Sequence, residues 1–373
     1  MNSDAQVPAR ELFLERAGLQ RLIDALVAQG YQVIGPTLDQ GAIVYGPVAS
    51  LKDLPQGWTD VQEPGRYRLQ RRDDEAYFGY VVGPHSWKRY LFPPTATVAV
   101  ADQTSGGWEF QTPAEPPPRY AFLGVRACEL AALRVQDRVF LEGPYVDPIY
   151  QARREQALVI AVNCTQAAAT CFCTSMQTGP ECRSGFDLAL TELPTGFVVA
   201  VGSERGREIL AAIPHLPAEG SQSAAAEKAR DGARTQITKT MDTTGIKELL
   251  QAHPNHPRWA EVATRCLSCT NCTMVCPTCF CSSVSEVTDL AGAHVERQRH
   301  WDSCFNLDFS YLNGGFVRND IRSRYRQWLT HKLSSWIDQF GSSGCVGCGR
   351  CITWCPVGID LTEEVAALRE TAP

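Results

Sequence analysis

Hydrophobic and polar positions alternate in short runs over the first part of the chain. Leucines at helical spacing also predict one amphipathic helix near residues 10–28. We therefore expect residues 1–115 to form a mixed β/α region that ends at the proline-rich stretch Pro113–Pro118. Four runs have β-like character and are separated by Gly/Pro turns: Gln32–Ile34, Ala42–Tyr45, Ala76–Val82 and Thr97–Val100.

The middle of the chain alternates strand and helix patterns. Asp147 followed by Pro148 is typical of a helix N-cap and first turn. The alternation predicts an α/β domain over residues 116–216. In chain order the pattern predicts a strand, a helix, a second helix and two strands: Tyr120–Val125, Cys128–Val139, Asp147 to about Glu155, Ala157–Val162 and Phe197–Val201.

A small, polar and weakly patterned stretch, residues 217–235, separates this domain from the cysteine-rich end of the chain. We interpret it as a linker or an exposed helix, and residues 217–260 as a linker or helical segment. Within the C-terminal region, residues 261–373, the Arg- and Trp-rich segment Val317–Gln339 has a helical pattern and lies between two cysteine blocks. The fold class is therefore expected to be α+β and multidomain.

Charge and composition narrow the class of protein. A net charge of −6 argues against a general nucleic-acid binder. No apolar run approaches the ~18 residues that a membrane span needs, and the N-terminus lacks the pattern of a secretory signal. We therefore expect a cytoplasmic protein. Its 16 cysteines then indicate metal binding, because disulfides are rare in that compartment.

Two blocks of cysteines repeat the spacing C-x₂-C-x₂-C-x₃-C-P. In such a block, three thiolates of a tight loop reach three corners of one cubane, and the fourth is directed to the other cubane. Structural zinc sites instead use two separated C-x₂₋₄-C pairs. The spacing predicts two [4Fe–4S] clusters in a ferredoxin-like domain with a helical insertion. The first cluster is assigned to Cys266, Cys269, Cys272 and Cys355, and the second to Cys345, Cys348, Cys351 and Cys276.

Four further cysteines follow predicted strands of the α/β domain, where ligand sites gather in open sheets. They suffice for a third [4Fe–4S] cluster, although buried inert cysteines are the alternative. A Gly-Pro turn separates Cys182, the alternative ligand, from them. The expected ligands of the third cluster are Cys128, Cys164, Cys171 and Cys173.

Cys279, Cys281 and Cys304 have no assigned role. They either pack around the clusters, ligate a further cluster or pair with a partner subunit, and we expect packing. No convincing Gly-x-Gly-x-x-Gly turn or P-loop is present, so we expect no flavin or nucleotide site in this chain. The cysteines can carry electrons, but no motif would make or break a substrate bond. We therefore expect a non-catalytic subunit.

The cysteine motifs and their surroundings resemble the β subunit of the cytoplasmic sulfhydrogenase, or NAD(P)-dependent [NiFe]-hydrogenase, family. They are similar in type to the A subunit of anaerobic sulfite reductase. The resemblance runs from about residue 83 to residue 360 and does not choose between the two branches. It is carried by Gly83–Pro94, Phe122–Ala132, Asn163–Pro180, Phe186–Leu193, Cys276–Cys281, Trp301–Cys304, Arg324–Lys332 and Cys345–Asp360.

The resemblance implies a relay within a larger enzyme. In the hydrogenase branch, the partners are a flavin/NAD(P)-binding [2Fe–2S] subunit and the small and large [NiFe]-hydrogenase subunits. In the sulfite reductase branch, a sirohaem subunit replaces the hydrogenase subunits. Two alternatives of other classes are a cysteine-rich metal- or redox-sensing scaffold and a self-contained reductase acting at the third cluster.

Overall fold

A computed structural model of the chain describes residues 11–112 and 116–370. The start of the first predicted region and part of the proline-rich stretch lie outside these residues. The described residues form sixteen strands: β1 Leu12–Glu15, β2 Gln32–Asp39, β3 Ala42–Pro47, β4 Trp58–Glu63, β5 Arg66–Arg71, β6 Thr95–Thr104, β7 Gly107–Gln111, β8 Tyr120–Val125, β9 Leu158–Val162, β10 Leu188–Leu193, β11 Gly196–Val201, β12 Leu216–Pro217, β13 Ser282–Thr288, β14 His294–Trp301, β15 Tyr311–Leu312 and β16 Gly315–Phe316.

The helices pack on and between the sheets. Short 3₁₀ turns occupy Leu51–Asp53 and Asp308–Ser310, and a π-helical turn, His331–Ser335, joins two α-helices. Among the described residues, no helix combines the length and apolar character needed to cross a bilayer. The described α-helices are α1 Gly18–Ala28, α2 Lys88–Leu91, α3 Ala127–Phe140, α4 Pro148–Gln156, α5 Glu204–Ala211, α6 Gly220–Gln236, α7 Ile246–Ala252, α8 Arg258–Arg265, α9 Asn271–Met274, α10 Ile321–Thr330, α11 Trp336–Phe340, α12 Arg350–Thr353 and α13 Leu361–Glu370.

The largest sheet has eight strands in the order β12-β1-β11-β10-β9-β8-β2-β3. Its centre, β2-β8-β9-β10, is parallel, and its outer pairs are antiparallel. The central strand β9 is buried along its whole length, as expected for a parallel strand covered on both faces. The sheet takes strands from both sides of residue 115, so the first region and the α/β segment share it.

Alternate residues of β9 point into two different cores. Leu158, Ile160 and Val162 pack with α1 and α5 on one face. Val159 and Ala161 pack with α3 and α4 on the other. The helices on both faces therefore hold the carboxyl ends of β8 and β9 in place. This also fixes the positions of the cysteines that follow these strands.

A second sheet joins the N-terminal half of the chain to the cysteine-rich half. Its four antiparallel strands lie in the order β13-β14-β6-β7. The segment between the cysteine blocks therefore contains a β hairpin as well as the expected helices. Helices α10 and α11, with the π-helical turn between them, occupy the segment predicted to be helical, Val317–Gln339, from Ile321 onward.

Two predictions about local structure are wrong. The stretch Ala76–Val82 forms no strand, because the Glu192 carboxylate accepts the amides of Tyr77 and Phe78 (2.7 and 2.8 Å) and Asp60 accepts that of Val81 (2.7 Å). These side chains supply the acceptors that a neighbouring strand would supply.

The predicted first helix begins at Gly18 rather than near residue 10. The residues before it form β1, which pairs with β11 and β12. The polar stretch at residues 217–235 is largely helical, as α6, which is the second of the two alternatives that the sequence left open.

Candidate iron–sulfur centres

The two cysteine blocks fold into loops of the same shape. Each loop has backbone in the left-handed region at the second and fourth positions after its first cysteine: Ser268 (φ 51°) and Thr270 (φ 68°) in one, Gly347 (φ 65°) and Gly349 (φ 76°) in the other. A short helix follows each loop at the same offset, α9 in the first and α12 in the second. The repeat seen in the sequence is therefore a repeat of backbone geometry.

A backbone amide points back at the first sulfur of each loop. The Ser268 amide donates to Cys266 Sγ (3.4 Å), and the Gly347 amide donates to Cys345 Sγ (3.5 Å). Such N–H···S bonds stabilise thiolates that ligate a metal centre. The left-handed residues turn these amides inward.

The first cavity of the C-terminal region, here called cavity A, is lined by the four cysteines assigned to the first cluster. Phe305, Tyr325 and Trp328 form its apolar wall. Three of the four thiols are partly buried, and Cys269 is exposed. Cavity A therefore lies close to the surface. Its cysteines are Cys266, Cys269, Cys272 and Cys355.

The second cavity, cavity B, is lined by the four cysteines assigned to the second cluster. Lys332, on the π-helical turn, donates from Nζ to Cys276 Sγ (3.2 Å). Cys351 lines cavity A as well as cavity B, so the two cavities share a wall. The cysteines of cavity B are Cys276, Cys345, Cys348 and Cys351. Each block thus contributes its fourth cysteine to the cavity of the other block.

The chemistry of both cavities fits an iron–sulfur cluster. No carboxylate or imidazole lines either cavity, and the donor sets consist of thiols. Within the described parts of the chain, no group of three or more His, Cys, Asp or Glu side chains could hold one metal ion. A cubane presents its irons at separate corners, so its ligands stand farther apart than those of one ion.

Burial and charge set the properties of the thiols in cavity B. Burial raises the pKa of Cys345 to about 12 and the pKa of Cys351 well above its ordinary value. The pKa of Cys276 is held well below its usual range, first by a hydrogen bond with Cys279 and then, against the effect of burial, by Lys332. A bound metal centre would deprotonate all four thiols.

The four cysteines expected to hold a third cluster lie where β8 and β9 end. Cys128 is in the first turn of α3, after β8, and Cys164 follows β9. Cys171 and Cys173 follow in the next loop, and Cys173 interacts with Cys171, Cys164 and Cys348. Cys128 interacts with Cys173. We name this group of four thiols group C.

Group C adjoins cavity B directly. Phe172 donates its backbone N–H to the Gly347 carbonyl (2.9 Å), and Thr178 donates from Oγ1 to the Val346 carbonyl (2.6 Å). Cys348, a cavity B thiol, packs in the same apolar cluster as Cys128, Cys171 and Cys173. The three cysteine groups therefore lie in the order A, B, C.

A buried cation stands beside group C. Arg126 is 1% exposed and donates to the carbonyl oxygens of Phe78, Tyr80 and Asn163, while its Nε has no hydrogen-bond partner. It lies against Cys164, where its charge opposes the effect of burial on the pKa of that thiol. A buried guanidinium beside thiols fits an anionic metal–thiolate centre.

Cys182 lies close to group C but in a different environment. Its backbone amide donates to Asn163 Oδ1 (2.7 Å), and its side chain packs in the apolar core around α3 and α4. It also interacts with Cys164. Spacing alone did not indicate this proximity, in which the Cys164 amide donates to the carbonyl of Pro180, two residues before Cys182 (3.4 Å).

Comparison with known proteins identifies the class first. Residues 265–359 match the family described as "4Fe-4S dicluster domain", so this part of the chain is a two-cluster iron–sulfur domain. The resemblance stated from the motifs is also confirmed. The chain is 29% identical over 255 residues to Sulfhydrogenase 2 subunit beta of Pyrococcus furiosus, which covers 68% of this chain and 75% of that subunit. The chain is therefore similar to a sulfhydrogenase β subunit over about two thirds of its length. No solved structure matches the fold.

Proposed function

We propose that the chain is the electron-relay subunit of a cytoplasmic, NAD(P)-linked [NiFe]-hydrogenase of the sulfhydrogenase type. It would pass electrons between a flavin/NAD(P)H subunit and the hydrogenase subunits. The observation that carries the proposal is the wall that cavities A and B share at Cys351. Clusters held in adjoining cavities are close enough to exchange electrons, and each bound cluster would accept and donate one electron at a time.

The ligand sets are part of the proposal. Cavity A would hold one [4Fe–4S] cluster, cavity B a second and group C a third. The match to a dicluster domain supports the first two. The third is supported by its contacts with the loop of cavity B and by the buried charge of Arg126.

The order A, B, C suggests a path across the chain. Cavity A opens near the surface, where Cys269 is exposed, whereas Cys276 and Cys348 of cavity B and three thiols of group C are buried. Buried thiols exclude water from the middle of the path, and surface thiols allow a partner to approach. We therefore expect one partner subunit to dock beside cavity A.

The experiment is purification of the native complex under anaerobic conditions through a tag on this chain. We expect nickel, flavin and NAD(P)-dependent hydrogenase activity to co-purify, with about eight to twelve irons per chain and matching acid-labile sulfide. Sirohaem absorbance in place of nickel would assign the chain to the sulfite reductase branch and overturn the proposal. Stoichiometric zinc without sulfide would favour a metal-sensing scaffold instead.

A further inference from the structure

Three cysteines outside cavities A and B and group C are brought together by the hairpin β13–β14. Ser282 of β13 pairs with Trp301 of β14. The Asp302 amide donates to the Cys281 carbonyl (2.8 Å), so the pairing continues one residue beyond the two strands. The side chains of Cys281 and Cys304 interact, and Cys279 interacts with Cys281. We name Cys279, Cys281 and Cys304 group D.

Group D repeats a motif already used in group C. Cys279-Phe280-Cys281 has the same three residue types as Cys171-Phe172-Cys173. In both places a further cysteine comes from a more distant segment: Cys128 in group C and Cys304 in group D. The sequence alone favoured packing for these three thiols, but the packing role does not explain the charge beside them.

That charge is Lys88, on α2, whose side chain is buried with 3% exposure. Its Nζ donates to the Cys279 carbonyl (3.0 Å) and lies 3.9 Å from the centre of the Trp301 ring. Among the described residues, no carboxylate forms a salt bridge with Lys88. A buried ammonium is costly unless an anion pairs with it, and the nearest groups able to carry negative charge are cysteine thiols.

Lys332 is a second buried cation near these sulfurs. It donates to Cys276 Sγ, to the Thr278 hydroxyl and to the Gly344 carbonyl, all at 3.2 Å, and so belongs to the wall of cavity B. Both lysines act on Cys276 and Cys279, but the side-chain hydrogen bonds of Lys332 go to cavity B, whereas that of Lys88 goes to the Cys279 carbonyl. Two buried ammonium groups therefore lie at the junction of cavity B and group D, and thiolates of both sets are in place to supply their counter-charge.

We propose that group D holds a further cubane-type iron–sulfur cluster, with Lys88 as its buried counter-cation. Thiolates are the soft ligands that such clusters select, and three of them can hold a [3Fe–4S] cluster, or a [4Fe–4S] cluster with one iron free of cysteine. Cys304 neighbours Cys272 of cavity A, and Cys279 neighbours Cys276 of cavity B. The cluster would lie beside both cavities, add a branch to the proposed relay and raise the iron content expected above by about three or four irons per chain.

The test compares iron and acid-labile sulfide in the anaerobically prepared full chain and in Cys304→Ala. We expect the variant to lose three or four irons per chain, with sulfide in step. Val284→Ala, on the exposed face of the same hairpin, should keep the full content. An unchanged iron content in Cys304→Ala would overturn the proposal. If that variant does not fold, Cys281→Ser, which keeps the size of the side chain, gives the same test.

A double variant separates this cluster from the third one. Cys128→Ala should remove about four irons by itself if group C holds a cluster, and the losses in Cys128→Ala and Cys304→Ala should then add. A double variant that loses no more iron than Cys128→Ala alone would contradict a separate cluster at group D. The relay proposal and the group D proposal can be told apart if one of them fails. The relay is tested by co-purifying nickel and by turnover, whereas group D is tested by iron content.

Discussion

At the scale of single residues, the molecule places at least one buried cation beside each of three sets of sulfurs. Lys332 lies at cavity B, Arg126 at group C and Lys88 at group D. Cysteine spacing predicted which four cysteines come together at each cavity of the dicluster domain, because three of the four belong to one loop. The cations were not predicted: Lys88 and Lys332 lie far in sequence from Cys279 and Cys276, and Arg126, although two residues before Cys128, acts on Cys164 only in the folded chain.

Lys332→Met tests the electrostatic role of the cation at cavity B. Removing a positive charge disfavours the more negative, reduced form of a nearby cluster, so its reduction potential should fall by on the order of 100 mV. Potentiometric titration followed by electron paramagnetic resonance measures the shift. Lys247→Met, which breaks an ion pair with Asp338 near the surface, should leave all potentials unchanged. Equal potentials in both variants would contradict the role of Lys332.

His85 makes stability depend on pH. Burial, followed by the charge of Arg89, lowers the pKa of His85 from 6.5 to about 4. Between these values the unfolded chain binds a proton that the folded chain does not, so the free energy of unfolding should fall as pH drops from about 7 toward 4. His85→Gln should flatten this dependence in thermal melts recorded across that range. Parallel curves for the two proteins would show that His85 is not responsible.

At the scale of elements, the sequence predicted β8, α3, α4, β9 and β11 of the α/β region but missed β10 and α5. The strands β8 and β9 and the helices α3 and α4 are defined by their own residues: apolar runs, helical spacing and the Asp147 cap, whose carboxylate accepts the Tyr150 amide (2.8 Å). The wrong prediction at Ala76–Val82 depends on Glu192, which is distant in sequence. The local pattern of hydrophobic and polar residues cannot indicate a hydrogen-bond acceptor that comes from a distant part of the chain.

Gly347→Ala tests the junction between cavity B and group C. Gly347 has φ of +65°, and a Cβ there would lie 2.6 Å from the Phe172 carbonyl oxygen and 2.7 Å from Cys173 Cα. We expect the variant to lose about 2–4 kcal/mol of stability, from the left-handed backbone and from the collision, and to bind less iron. Denaturant unfolding and iron analysis measure these effects.

Gly341→Ala is the matched control for that variant. Gly341 also has a positive φ (+69°), but a Cβ there would meet nothing within 4 Å. It should therefore lose only the backbone part, about 1–2 kcal/mol, and keep its iron. Equal losses of stability and iron in the two variants would show that the close contact with residues 172 and 173 does not affect either property.

At the scale of the whole molecule, one buried ion pair ties the large sheet to the cluster loops. Arg350 of α12 donates from Nη2 to the Glu129 carboxylate (2.5 Å), and both side chains are at most 1% exposed. Glu129 lies on α3, one residue after Cys128, and also accepts from Tyr45 and Trp87. The pair therefore fixes the position of cavity B relative to group C.

Glu129→Gln should destabilise the protein by about 3–5 kcal/mol, because it leaves the Arg350 guanidinium buried without its counter-charge. Chemical unfolding of the cluster-loaded chain measures the loss. Glu204→Gln removes a partner of the exposed pair with Arg207 and should change stability little. Arg350 also donates to the carbonyls of Gly83 (2.9 Å) and His85 (3.0 Å), and a small effect of both substitutions would mean that these bonds alone satisfy it.

Cys351→Ser tests the relay as a whole, since Cys351 lines both cavities of the dicluster domain. In the proposed complex we expect NAD(P)-linked hydrogen turnover to fall at least tenfold, because the substitution would interrupt electron transfer between the clusters proposed in cavities A and B. Dye reduction by NAD(P)H at the flavin subunit should persist and serves as the control. Undiminished turnover would place cavities A and B off the electron path.

Strands β6 and β7 belong to the same sheet as β13 and β14. This pairing matters if the C-terminal region, residues 261–373, is expressed alone. A fragment starting at residue 261 would retain the hairpin β13–β14 but lose β6, whose ladder runs along β14 from His294 to His300. The freed edge would offer unpaired amides and carbonyls to other copies of the fragment. Such a fragment should self-associate. Supplying residues 95–112, which form β6 and β7, should prevent this because β6 pairs with the edge of β14.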